Sequence, residues 1–154
     1  MTILGPSIPP LASPAWSAER ALVALDITRE AFECSNGNVQ GYAKPEAHRV
    51  AVSPLAVNLA KTLFHEIAHC LLHSAQARMQ DTAELTRSLA EVEAESVAYL
   101  VGAALGFGDL EASRGYIQAW MGDATAEQIT DRHARRILAT ADRILKAGRP
   151  PRDA

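Results

Sequence analysis

The sequence predicts an α+β fold in which a small antiparallel sheet packs on a helical bundle. Short strand-like runs separated by turn residues occupy residues 31–52. Apolar side chains then recur at helical spacing in three later segments, at about 55–73, 89–105 and 126–146. The chain has 154 residues, 48% of them hydrophobic, and it contains no internal repeat. These values predict a single domain with one core.

The N-terminal part is predicted to contain a flexible segment and then a helix. Residues 1–15 are rich in proline, serine and glycine, which predicts a flexible segment. Ser17 is a candidate N-cap for a helix from Ala18 to about Glu30. Its predicted buried side carries Leu22, Leu25 and Val23. We therefore predict one domain over residues 16–148, followed by a flexible tail at 149–154.

The strand-like runs predict a hairpin and a third strand. Asn36-Gly37 separates the runs 31–34 and 39–43, and Asn-Gly between two short runs is a strong hairpin signal. After Pro45, residues 48–52 alternate polar and apolar side chains, as a half-buried strand does. The three segments together account for the predicted antiparallel sheet.

Helices are predicted for most of the remaining chain. The first runs from about Leu55 to His73, with a buried stripe at Leu59, Leu63, Ile67 and Leu71. Others are predicted at about 89–105, which ends near Gly106, at 112–121 and at 126–146. The apolar anchors of the last helix are Ile129, Ile137, Leu138, Ile144 and Leu145.

The pentapeptide His65-Glu66-Ile67-Ala68-His69 is the main functional signal in the chain. Residues four apart share one face of a helix, so His65 and His69 are predicted to bind one metal ion together. Catalytic zinc is commonly held by such a pair, with the intervening glutamate as general base. The motif thus predicts a site for one Zn²⁺ in which Glu66 is catalytic.

The third metal ligand is predicted to come from the helix at 89–105, because catalytic zinc usually has three protein ligands. Glu91 and Glu95 lie four residues apart and share a face, whereas Glu93 is rotated about 200° from Glu91 and is the weakest candidate. We assign Glu91 to the metal and Glu95 to a hydrogen bond with a ligand histidine, and the reverse assignment stays open. Glu91, Glu93 and Glu95 could also all be surface acids.

His73 extends the histidine face by one more turn. It would lie about 12 Å along the axis from His65 in a continuous helix, which is too far to share one ion. We interpret His73 as a supporting or helix-end residue, with ligation as the alternative. His48 and His133 are interpreted as ordinary surface or hydrogen-bonded histidines.

Charge and hydropathy limit the predicted partners and location. The net charge of −3 gives no reason to expect a nucleic-acid-binding protein. The basic C-terminal stretch from Arg132 to Arg152 is interpreted as a solvated helix face rather than a nucleic-acid patch. No signal peptide or membrane span is evident, so we expect a cytoplasmic protein without membrane contact. Direct nucleic-acid contact is not the favoured interpretation, and the basic stretch leaves a nucleic-acid-binding accessory protein open as an alternative.

Two segments together resemble the ImmA/IrrE family of zinc metallopeptidases. They are Lys61-Thr62-Leu63-Phe64-His65-Glu66-Ile67-Ala68-His69-Cys70-Leu71-Leu72-His73 and Glu91-Val92-Glu93-Ala94-Glu95-Ser96-Val97-Ala98-Tyr99. The likeness is greatest to the metallopeptidase-like C-terminal domain of ArdC-type antirestriction proteins, which Ser113–Trp120 also resembles. It covers roughly residues 20–146.

This resemblance implies a zincin-like fold, zinc on His65 and His69, an acidic third ligand and hydrolysis of a peptide bond in a protein partner. The partner could be a regulator linked to a mobile element. The alternative function is a non-catalytic, metal-stabilised interaction or antirestriction module that binds a DNA-processing or regulatory protein. Tyr116 is the candidate that we name as donor to the oxyanion, and Tyr99, Tyr42 and His73 are the alternatives.

Overall fold

The computed structural model describes residues 16–75, 87–107 and 131–151. Helix α1 spans Ala18–Leu25, α2 spans Leu59–Leu72, α3 spans Arg87–Leu105 and α4 spans Asp131–Ala147. Strands β1 (Thr28–Arg29), β2 (Gly41–Lys44) and β3 (Arg49–Val52) form the sheet. These elements confirm the α+β class. Among the described helices, none is both long enough and apolar enough to cross a membrane.

Helix α1 begins as the sequence predicts but ends five residues early. The Ser17 hydroxyl accepts a hydrogen bond from the Arg20 amide at 3.2 Å, which caps the first turn. Asp26 adopts a left-handed conformation with φ of 57° and ends the helix. Residues 28–30 then bond to β3 instead of continuing the helix. Val23 is 81% exposed, so the prediction that it is buried was wrong.

The sheet is mixed rather than antiparallel, with strand order β1-β3-β2. β3 pairs in parallel with β1 and antiparallel with β2. The predicted hairpin around Asn36 is therefore wrong, although Val39 does donate to the Asn36 carbonyl in a local turn. β2 instead reaches β3 through the short 3₁₀ helix Pro45–Ala47. The run before the turn, residues 31–34, contains no strand.

Helix α2 starts at Leu59, four residues after the predicted start. The Asn58 side chain accepts from the Lys61 amide at 3.0 Å and caps it. The preceding amides bond outside any helix, since Leu55 donates to the Ser53 hydroxyl and Val57 to the Gln40 side chain. These bonds hold residues 53–57 in a turn, and Leu55 and Val57 are largely exposed.

Helices α3 and α4 complete the bundle on one side of the sheet. α3 is helical from Arg87, which is the first described residue of its segment and lies two residues before the predicted start, and it ends before Gly106, as the sequence predicts. α4 is confirmed over its described part, whereas residues 112–121 and 126–130 lie outside the described residues. The predicted anchors Leu59 and Leu138 are 49% and 60% exposed, so those two predictions were wrong.

The core lies where α2 crosses α3 and α4 and covers the sheet. Its largest fully buried apolar side chains are Phe64, Ile67, Ile144, Val50, Val97 and Val101. Trp16 packs edge-on against Phe64 with 5.7 Å between ring centroids. Since Phe64 directly precedes the histidine motif and Ile67 lies within it, the core also fixes the orientation of the motif-bearing helix.

The two ends of the described domain meet at Gly148. Its carbonyl accepts from the Ser17 amide at 2.8 Å and from the Arg20 guanidinium at 3.0 Å. The Arg149 carbonyl also accepts from Arg20 at 2.8 Å. Residues 1–15 and 152–154, which belong to the segments predicted to be flexible, lie outside the described residues.

A Gly148→Ala substitution is expected to destabilise this junction by about 1–3 kcal/mol. A methyl group at position 148 would overlap the Trp16 ring, so Trp16 or the end of α4 must shift. Urea unfolding, followed by far-ultraviolet circular dichroism, measures the effect. Gly37→Ala is the matched control because nothing lies within 4 Å of the added carbon there. Equal stability of the two variants would contradict the expectation.

Candidate metal centre

The two motif histidines face one glutamate on the neighbouring helix. His65 and His69 lie one turn apart on α2, with their Nε2 atoms separated by 3.1 Å. The Glu91 carboxylate of α3 lies 2.7 Å from Nε2 of His69 and 3.6 Å from Nε2 of His65. The three side chains therefore direct two nitrogens and a carboxylate toward one point between α2 and α3.

These distances fit a tetrahedral zinc site. Zinc–ligand bonds of about 2.0–2.1 Å in tetrahedral geometry place neighbouring ligand atoms about 3.3 Å apart. The separations of 3.1, 2.7 and 3.6 Å lie on both sides of that value. Two imidazoles and a carboxylate are also a ligand set that catalytic zinc uses, with one position left for water. The donor set of His65, His69 and Glu91 thus fits zinc.

Glu66 lies beside the same point. Its ligating atoms and those of His65 and His69 are all within 4.8 Å of one another. Glu91, rather than Glu66, has its two oxygens against the two Nε2 atoms, so Glu66 is left for another role. The Glu66 side chain is only 7% exposed. Burial raises the pKa of this carboxyl, although His65 and His69 partly oppose the effect.

A pocket of about 320 Å³ opens onto these groups. It is lined by Gly41, Ala43, Pro45, His65, Glu66, His69 and Glu91. One wall is therefore β2 and the residue that follows it, and the opposite wall carries His65, Glu66, His69 and Glu91. No tyrosine is among these lining residues.

Gly41 allows β2 to approach α2 closely at this pocket. A side-chain carbon at position 41 would lie 2.8 Å from Cγ2 of Thr62 and 3.4 Å from Cγ of Glu66. The first distance is shorter than ordinary van der Waals contact, so a larger residue would push the strand away from the helix. Glycine at this position therefore keeps the strand next to Glu66.

Glu95 forms a hydrogen bond with Nδ1 of His65, the ring nitrogen that faces away from His69 and Glu91. The Nδ1–H of His65 donates to Oε1 of Glu95 at 2.7 Å, and Lys61 donates to Oε2 at 3.0 Å. Glu95 is 3% exposed, so the alternative that it is a surface acid is wrong. This hydrogen bond leaves Nε2 of His65 pointing at the metal position, as carboxylate partners of metal-binding histidines do.

His69 is supported differently, through His73. The two Nδ1 atoms are 2.7 Å apart, and Nε2 of His73 lies 2.9 Å from Oε1 of Glu93. Oε2 of Glu93 lies 2.9 Å from Nδ1 of His133, and the Arg136 guanidinium lies 3.6 Å from Oε1 of Glu93. Glu93 is 1% exposed, so it points into the protein as the partner of His73, which follows α2, and of His133 on α4.

Sequence reasoning gave no role to Glu93 and His133 in the site. The helical spacing shows correctly that Glu93 points away from Glu91, but it does not show what lies on that side. His133 is 40 residues from Glu93, and only the packing of α4 brings them together. The one local signal for this part of the site was His73, whose four-residue spacing from His69 places it on the same helix face.

The structure describes two of the three tyrosines that are candidate oxyanion donors, and neither lines the pocket. Tyr116 lies outside the described residues. The hydroxyl of Tyr42 donates to Glu30 at 3.1 Å, away from the pocket, because the side chains of neighbouring strand residues point to opposite faces. Tyr99 is half-buried and does not line the pocket either. The position of an oxyanion donor thus stays a prediction.

Zinc uptake is expected to release about one proton near neutral pH. Burial lowers the pKa of His65, but hydrogen bonds to Glu91 and Glu95 outweigh it and raise the pKa to about 9 in the metal-free protein. Zinc must displace this proton below pH 9, so the apparent affinity should fall by up to about tenfold per unit of decreasing pH. Calorimetry in buffers of different ionisation enthalpy measures the proton; no buffer dependence would contradict the expectation.

Comparison with protein-family models, curated proteins and solved structures found no match to this chain. The resemblance to ImmA/IrrE metallopeptidases therefore depends on the motif residues themselves and stays a prediction.

Proposed function

We propose that this protein is a zinc-dependent metallopeptidase that hydrolyses a peptide bond in a protein partner. One observation carries the proposal: His65, His69 and Glu91 converge at zinc-ligand spacing beside a buried glutamate, at the wall of an open pocket. The motif residues also support a zincin-like fold and membership of the ImmA/IrrE family. By that resemblance, the partner would be a regulator linked to a mobile element.

The chemistry is divided between the ion and Glu66. Zinc at this position would lower the pKa of a bound water and polarise the scissile carbonyl. Glu66 accepts the proton of the water during attack and then delivers it to the leaving amine. Its buried setting suits both steps, because a carboxyl with a raised pKa is a stronger base and a better carrier of the proton.

Strand β2 is the proposed platform for the substrate backbone. Residues 49–52 form the central strand β3, which is paired on both sides, so the platform must be one of its neighbours. Within the described residues β2 is paired only with β3, and Gly41 and Ala43 of β2 line the pocket. An extended peptide added along β2 would pass directly in front of Glu66.

The test combines metal content with cleavage by the full chain. We expect about one zinc per chain and cleavage of an unbiased peptide library, detected by mass spectrometry, that stops on chelation and returns with zinc. Cleavage insensitive to chelation, or a zinc-loaded protein that cleaves nothing, would overturn the proposal.

A further inference from the structure

The two metal-facing histidines have different supports. The Nδ1–H of His65 donates directly to the Glu95 carboxylate at 2.7 Å. Nδ1 of His69 instead lies 2.7 Å from Nδ1 of another histidine, His73. A metal-binding histidine usually has its second nitrogen on a carboxylate, a carbonyl or water. A histidine in that place requires an explanation of its own.

His73 is itself held by a carboxylate, that of Glu93 on α3. Nε2 of His73 is 2.9 Å from Oε1 of Glu93, and Nδ1 of His133 is 2.9 Å from Oε2. The side chains of His73, Glu93 and His133 are 8%, 1% and 3% exposed, so these bonds are shielded from water. His69 thus has a carboxylate partner as His65 does, but reaches it through a second imidazole.

The direction of each hydrogen bond follows from the role of His69. If Nε2 of His69 binds the metal, the proton of its neutral ring is on Nδ1. His73 must then accept at Nδ1, so its own proton is on Nε2 and donates to Glu93. The carboxylate accepts there and also from His133. In this series of hydrogen bonds, each imidazole N–H of His69 and His73 has an acceptor, and Nδ1 of His73 has a donor.

We propose that His73 is a positioning residue that, anchored by Glu93, fixes the ring and tautomer of His69 for metal binding. The inference rests on the proposed metal centre. Three glutamates of α3 would then serve the same metal centre. Glu91 faces the proposed ion, Glu95 accepts a hydrogen bond from His65, and Glu93 supports His69 through His73.

Two polar variants of His73 separate its two hydrogen bonds. In His73→Asn, Oδ1 occupies about the place of Nδ1 and still accepts from His69. In His73→Gln, the side-chain amide reaches about the place of Nε2 and still donates to Glu93, but His69 loses its acceptor. His133→Phe is the matched control, because it removes a buried partner of Glu93 that does not contact His69.

The readouts are the zinc dissociation constant, measured with a competing chelator, and the visible absorption spectrum of the Co²⁺-loaded protein. We expect His73→Gln to bind zinc about 10–100-fold more weakly than wild type and to have an altered cobalt spectrum. His73→Asn keeps the acceptor for His69 but loses the bond to Glu93, so its zinc affinity should fall between those of wild type and His73→Gln. His133→Phe should stay within a few-fold of wild type, although it should be less stable to urea.

Equal zinc affinity in His73→Asn and His73→Gln would overturn the inference. A loss in His133→Phe as large as that in His73→Gln would also overturn it, because it would show a general effect of disturbing the buried cluster. In both cases the wild-type protein still binds zinc, so the proposed function survives. A wild-type chain that binds no zinc would overturn the metal centre and the inference together.

Discussion

Glu66→Gln is expected to lower the rate of peptide hydrolysis by about 10²–10⁴-fold, the usual contribution of a general base, while zinc stays bound. The amide keeps the shape of the side chain but cannot accept the proton of the attacking water. The carboxyl is buried and pays a desolvation cost when charged, so a neutral amide at this position should not destabilise the fold. The loss should therefore appear in kcat rather than in zinc content or unfolding.

The measurement compares kcat on a peptide that the wild type cleaves, together with zinc per chain. Glu33→Gln is the matched control, because it makes the same chemical change at an exposed carboxylate. Hydrolysis by Glu66→Gln at the wild-type rate would exclude Glu66 as the base. If the variant keeps the protein's full effect on its partner, the alternative of a non-catalytic interaction module gains support.

Local sequence patterns predict the parts of the site that lie within one helix. The four-residue spacing of His65 and His69 places both imidazoles on one face, and the structure brings their Nε2 atoms to 3.1 Å. The same rule places Glu91 and Glu95 together on α3. It does not decide which of them faces the metal, because that depends on how α3 crosses α2. In the structure, Glu91 lies 2.7 Å from Nε2 of His69 and Glu95 lies 2.7 Å from Nδ1 of His65. Both distances depend on the packing of one helix against the other, which the spacing within a single helix does not give.

The sheet shows why strand pairing was harder to predict. Asn36-Gly37 does form a turn, but a turn fixes the partner of a strand only if both flanking segments are extended and paired. Here β3 pairs with residues 28–30 on one side and with β2 on the other. The parallel partner comes from a segment that the sequence predicted as the end of α1. The choice between helix and strand there depends on contacts with β3, which local periodicity does not contain.

Glu91→Gln and Glu95→Gln are expected to weaken zinc binding to different extents. Loss of the Glu95 carboxylate removes the hydrogen-bond partner of His65, and changes of this kind cost about 10–100-fold in metal affinity. Glu91→Gln removes one of three ligands and the negative charge between two Nε2 atoms, so its loss should exceed that range. The carboxylate of Glu91 also has a pKa held well below its usual value, since its bonds to His65 and His69 outweigh its burial.

The order of the two effects assigns the third ligand. The same glutamate-to-glutamine change at two positions on one helix face keeps size and helix propensity matched, so the difference reports on the role of each carboxylate. Zinc dissociation constants from competition with a chelator should rank wild type tightest, Glu95→Gln next and Glu91→Gln weakest. The reverse ranking would make Glu95 the ligand. The structure argues against that result, because Glu95 lies at Nδ1 of His65, on the opposite edge of the ring from the nitrogen that faces His69 and Glu91.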